Sequence, residues 1–139
     1  MNEQGSVTVE AILAITAIVL VILLGVAAGR ITVAGIAVEA AARDAARQAS
    51  IARTAAAASA TAEASARESL MSQGVRCVAV TVKVNTKGFS RPIGTLADVS
   101  ATVSCTVPLA DLGFPGLPGG VKRRATSVSP LDPYRERGR

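Results

Sequence analysis

The sequence predicts an α+β chain: a long N-terminal α-helix, transmembrane at first and then extended and alanine-rich, followed by a small antiparallel β-hairpin or sheet. Three observations carry this expectation. Residues 11–29 contain no charged side chain, residues 30–74 are rich in alanine and free of proline, and from Val75 the apolar period changes from helical to two. A chain of 139 residues with its opening third given to apolar side chains leaves only a small globular part.

The first segment is a short leader, residues 1–5, and the second, residues 6–29, is a membrane span. Its 24 residues reach ~36 Å as a helix, more than a hydrocarbon core of ~30 Å. A cleavable secretion signal is the rival: Val26, Ala27 and Ala28 offer small residues for cleavage, although the apolar run exceeds the usual length and the lead MNEQG has no Lys or Arg. Within the span Gly25 and Gly29 stand four apart, a spacing that lets two helix backbones approach closely, and a loosely packed single anchor is the plainer account.

Residues 30–74 read as an extended helix. Glu39 and Arg43, then Glu63 and Arg67, are acid-before-base pairs four apart, and Gly74 is placed to end the helix. An unbroken rod from Ser6 to Gln73 is ~100 Å long, with Gly29, Gly35 and the Thr-Ala-Ser patch at 54–66 as places to bend or fray. Alanines offer little area to bury singly, so the rod is marginal unless it lies against other helices or its own hairpin.

Residues 75–130 read as a small β domain. VRCVAVTVKVNT sets Val78, Val80, Val82 and Val84 on one face, and ADVSATVSCTV sets Val99, Ala101, Val103, Cys105 and Val107 on one face with Asp98, Ser100, Thr102, Ser104 and Thr106 opposite. KGFSRPIGTL supplies the turn, PLADLGFPGLPGG a loop, and KRRATSVS a weaker third strand. Cys77 and Cys105 suit one disulfide in an oxidising compartment, with two buried free thiols as the other reading. Matching the valine faces sets Val82 opposite Ala101 and Val78 opposite Cys105, which leaves Cys77 on the wrong side unless a bulge or a position in the preceding turn repairs it.

The formal net charge of +5 is concentrated late, with Lys122, Arg123, Arg124, Arg135, Arg137 and Arg139 in the last eighteen residues. The end of the chain, residues 131–139, therefore reads as a basic, solvated tail. There is no His and no Trp, the ten carboxylates are scattered, and neither GFPGLPGG nor LLGVAAG has the context of a phosphate cradle. The expectation is no enzyme, no catalytic residues, no metal site and no cofactor. Nucleic acid is an unfavoured partner, because only three aromatic residues exist and none is interleaved with the basic clusters.

Glu10 raises the sharpest question, because a carboxylate just inside a hydrocarbon boundary needs a partner or a proton. It either caps the helix at the interface, where the positive dipole end favours it, or meets a charge on another chain. Gly5, then Ser6, then Glu10 at the fifth position after the glycine, followed by an apolar helix, resembles the type IV prepilin motif. Together with AARDAARQAS, the late two-cysteine hairpin and VSPLDPYRER, the order GSVTVE resembles the TadE-like minor pseudopilins of Tad (Flp-type) pilus systems. The resemblance implies cleavage between Gly5 and Ser6 by a prepilin peptidase, and pairing of Glu10 with the new Ser6 amine of a neighbouring subunit. It also implies membrane lipid, other pilin-like subunits and pilus assembly proteins as partners, and a single-pass membrane location with the C-terminal domain extracytoplasmic. A count of Arg30, Arg43 and Arg47 after the span favours the reverse orientation. The alternative function is a monomeric, membrane-tethered envelope protein whose basic exterior binds cell-wall or nucleic-acid partners.

Overall fold

The structure, a computed structural model, describes residues 3–136, with side chains from residue 7 onward. The fold is α+β, as the change of period predicts. Helix α1 runs Glu3–Ile51, α2 Ala55–Ser72, and three strands follow: β1 Ala79–Asn85, β2 Ala97–Pro108 and β3 Gly120–Leu131.

Helix α1, 49 residues and ~73 Å long, has two unlike halves. From Val7 to Val26 every side chain is exposed; from Ala34 to Ala49 a wide arc of alanines, with Val38, is buried. The half with large apolar side chains is therefore the bare one, and the half with small ones is packed.

The expected single rod is interrupted, which corrects the reading of residues 30–74 as one extended helix. Thr54 adopts an extended backbone and its Oγ1 accepts from the Ala57 amide at 3.1 Å, capping a new helix. Helix α2 then folds back along α1, so that Ser69 Oγ donates to Asp44 Oδ2 at 2.8 Å across 25 residues of sequence. A straight rod would leave its alanine stripe in water; the fold-back buries Ala58, Ala62, Ala66 and Leu70 instead. The stop at Gly74 is as expected: with Gly74 at a φ of 70°, its amide donates to Met71 O at 3.0 Å and that of Val75 to Leu70 O at 3.1 Å.

The strands form one antiparallel sheet in the order β1-β2-β3. The β1–β2 register differs by two residues from the simplest valine match: Val80 lies opposite Cys105, Val82 opposite Val103 and Val84 opposite Ala101. An even shift keeps Val80, Val82 and Val84 on the helix side, so apolar matching does not choose between the two registers and the connection does; Val78, expected on the same face, precedes β1 and is 74% exposed. That connection includes a 3₁₀ turn, Lys87–Ser90, which seats Gly88 against the backbone of Asp98; a Cβ on Gly88 would come within 2.1 Å of Asp98 O. The third strand is longer than expected, pairing with β2 along its whole length from Ala97–Leu131 to Pro108–Gly120.

Helix α1 packs on β2 and β3, and α2 packs on β1. Val38, Leu70, Phe89, Val99, Val103, Cys105, Leu112 and Leu131 belong to one core, so residues 75–130 share their interior with the helical hairpin rather than forming a separate β domain. The opposite sheet face is polar, with Thr102 and Thr126 joined through their hydroxyls at 2.8 Å and Arg124 Nε donating to Ser104 Oγ at 3.2 Å.

A bare apolar helix and its junction with the head

The uncovered half of α1 is long and apolar enough to cross a membrane. Its one mid-segment hydroxyl, Thr16 Oγ1, donates to Ile12 O at 2.8 Å, so the helix carries that polar group without a partner from outside. Glu10 is exposed on this half and, among the described residues, forms no ion pair. Gly5 and Ser6 lie in the helical backbone of α1, ahead of the first described side chain. From Glu10 to Gly29 the helix rises ~28 Å, close to a hydrocarbon thickness, with Glu10 at one end of this stretch and Arg30 just past the other.

Gly25 and Gly29 are both exposed, and a Cβ at either would meet nothing within 4 Å. Their surroundings differ. Gly29 borders a groove of about 610 Å³ where the bare half of α1 meets the head, the unit formed by the packed half of α1, α2 and the sheet; the groove is lined also by Val26, Val33, Gln73, Arg76 and Asp111. Arg30 spans this junction, donating from Nη1 to Asp111 O at 2.7 Å.

Cys77 and Cys105 are joined by a disulfide with Cα atoms 5.4 Å apart. Cys77 precedes β1, in the segment between α2 and the sheet, so it escapes the strand alternation that would have pointed it away from Cys105. Cys105 is fully buried in β2, three residues before its end at Pro108.

The basic residues near the end of the chain divide between the expected third strand and the expected tail, and over the described residues the tail is tied to α1 at Arg135. Lys122, Arg123 and Arg124 lie within β3. Arg123 shares the helix side of the sheet and lies across α1, its Nη2 3.5 Å from Ile31 O and its Nε buried. Arg135 donates from Nη1 to Ile51 O at 2.7 Å, satisfying a carbonyl at the end of α1. Arg137 and Arg139 lie outside the described residues. Sequence reasoning missed the contacts that Arg30, Arg123 and Arg135 make at α1, although Arg30, the first charge after the apolar run, stood out by position.

A family model described as TadE-like protein matches residues 5–47, covering the bare half of α1 and most of its packed half. The resemblance to the TadE-like family, drawn from the order GSVTVE together with AARDAARQAS and the later segments, is borne out over that segment. No curated protein and no solved structure matched the chain.

Proposed function

We propose that this chain, TadE-like over α1, is a membrane-anchored structural subunit of a Tad-type pilus or of its assembly machinery. The observation that carries this reading is the coincidence of the TadE-like match with a helix whose first half is apolar, uncovered on every side and marked at its entrance by an exposed acid. A helix presenting Val, Ile and Leu all round is suited to lipid or to the same helix of neighbouring subunits.

In this reading a prepilin peptidase cuts between Gly5 and Ser6, and Glu10 pairs with the Ser6 amine of an adjacent subunit. Opposite unit charges attract strongly in low dielectric, and such a pair sets the axial stagger between helices. The Cys77–Cys105 bridge supports an extracytoplasmic head, since disulfides persist in oxidising compartments. The role is one of assembly, without catalysis. The alternative of a basic tail that captures wall polymer or nucleic acid is the less favoured reading, because Arg123 and Arg135 are engaged with α1.

The test is made on protein extracted from the membranes of cells carrying the pilus genes. N-terminal peptide analysis is expected to find a chain beginning at Ser6; retention of Met1 would overturn processing. Glu10→Gln is expected to leave membrane insertion intact while lowering co-isolation with pilus assembly proteins. Unchanged co-isolation would overturn the pairing.

A further inference from the structure

We propose that the base of the head rests on the bilayer, with the β2–β3 loop inserted among the headgroups as an apolar foot and flanking cations set against anionic phospholipid. The proposal rests on the reading that the bare half of α1 spans the membrane, and it adds a second, separate membrane contact.

Three observations place the foot. The ladder between β2 and β3 ends at Pro108–Gly120, and Leu109 N donates to Gly119 O at 3.1 Å, so the loop leaves the sheet there; Leu112 turns back into the core and residues 113–118 form the outer part of the loop. The loop projects beside α1 at the end of the apolar run, because Asp111 O accepts from Arg30 and the loop shares the junction groove with Val26 and Gly29. The loop thus lies level with the boundary where the charge-free segment stops. Its own surface is apolar: Leu117 is 56% exposed, Pro115 and Pro118 are exposed, and Phe114 is half-buried.

Charge at this end of the head is one-sided. Among the described residues Arg30, Arg76 and Lys122 are exposed around the loop, against the half-buried Asp111. Cations near an anionic leaflet are drawn to it, and a short apolar loop beside them gains from leaving water. Continuity with the membrane helix and this charge balance favour a bilayer over a protein as what covers the foot.

The protein has no tryptophan, so a single introduced indole reports its own surroundings. Full-length protein is reconstituted into vesicles of phosphatidylcholine with phosphatidylglycerol, in three variants: Leu117→Trp at the foot, Leu20→Trp in the apolar helix and Leu96→Trp beyond the far end of β2. Leu96 is 82% exposed and lies roughly 40 Å from the start of the loop along the strand. Lipids brominated on their acyl chains are expected to quench emission strongly for Leu20→Trp, partly for Leu117→Trp and not for Leu96→Trp, with a blue shift at 117 relative to 96. Quenching at 117 is expected to weaken in phosphatidylcholine alone, or when Arg76→Gln and Lys122→Gln are added.

If Leu20→Trp is quenched while Leu117→Trp behaves like Leu96→Trp, the foot is overturned and the span survives. Loss of quenching at Leu20→Trp would overturn the span and the foot with it. Shielding of Leu117→Trp from acrylamide without bromolipid quenching would show a second copy of the chain covering the loop, and would also overturn the lipid contact. Quenching at 117 that ignores both headgroup charge and the two glutamine substitutions would overturn the role given to the cations.

Discussion

Reducing the Cys77–Cys105 bridge should cost the head a large part of its stability, and the structure sets the scale. The two residues are 28 apart in sequence, so the bridge removes loop-closure entropy from the unfolded chain worth about 3.5 kcal/mol at 25 °C. In the folded state little changes, since Cys105 is fully buried and Cys77 half-buried whether or not they are bonded. The effect therefore resides in the unfolded ensemble, and reduction of the wild-type chain isolates it better than substitution, because Cys105→Ala adds a cavity. For a head of about 100 residues each kcal/mol moves the melting midpoint by ~4–8 °C, giving an expected fall of ~15–25 °C. The assay is far-UV circular dichroism of the full chain in detergent, heated with and without a phosphine reductant. The micelle-bound part of α1 contributes a flat helical baseline, and the transition reports the sheet and α2. A fall smaller than ~4 °C, with reduction verified by thiol labelling, would refute the entropic argument. A fall of the expected size would also explain why the head is better suited to the oxidising side of a membrane.

Three further perturbations probe how the head is held together. Ala45, fully buried in the arc of α1 that packs on α2 and the sheet, has no room to grow, so Ala45→Leu should destabilise by ~1–3 kcal/mol, whereas Ala64→Leu on the exposed side of α2 should be nearly neutral in the same melt. Arg135→Ala removes the donor to Ile51 O and should lower stability by ~1 kcal/mol, with faster amide hydrogen exchange confined to residues 50–54. Gly88→Ala drives a methyl group into Asp98 O, so the 3₁₀ turn must shift; a loss of ~1–3 kcal/mol and faster exchange at residues 97–99 are expected, and an unchanged melt would show that the turn yields freely.

The shape of the chain was legible wherever one physical signal acted alone. The charge-free run, the switch to period two and the glycine that ends α2 each depend on local chemistry, and each lies where the residues indicate. The β register was not legible to the residue, because two registers bury the same valines and the deciding contact, Gly88 on Asp98, joins residues ten apart through a turn with no sharp motif. The fold-back of α2 was hidden for a different reason. Alanine favours helix equally in a straight rod and in a hairpin, so propensity is silent about the choice, and Thr54 is one capping residue in a patch that also contains Ser59, Thr61 and Ser65.

Composition nevertheless held the answer, through size rather than propensity. A helix that must pack on a neighbouring helix and a sheet at once can present a buried arc that wide only if nearly every residue in it is small, and Ala37, Ala41, Ala42, Ala45, Ala46 and Ala49 meet that condition. Lipid imposes no such limit, so the same helix turns to Val, Ile and Leu on all sides before Gly25. The two kinds of apolar residue along α1 thus separate two settings: large ones on the uncovered stretch that is long and apolar enough to cross a membrane, and small ones where protein packs closely from more than one direction.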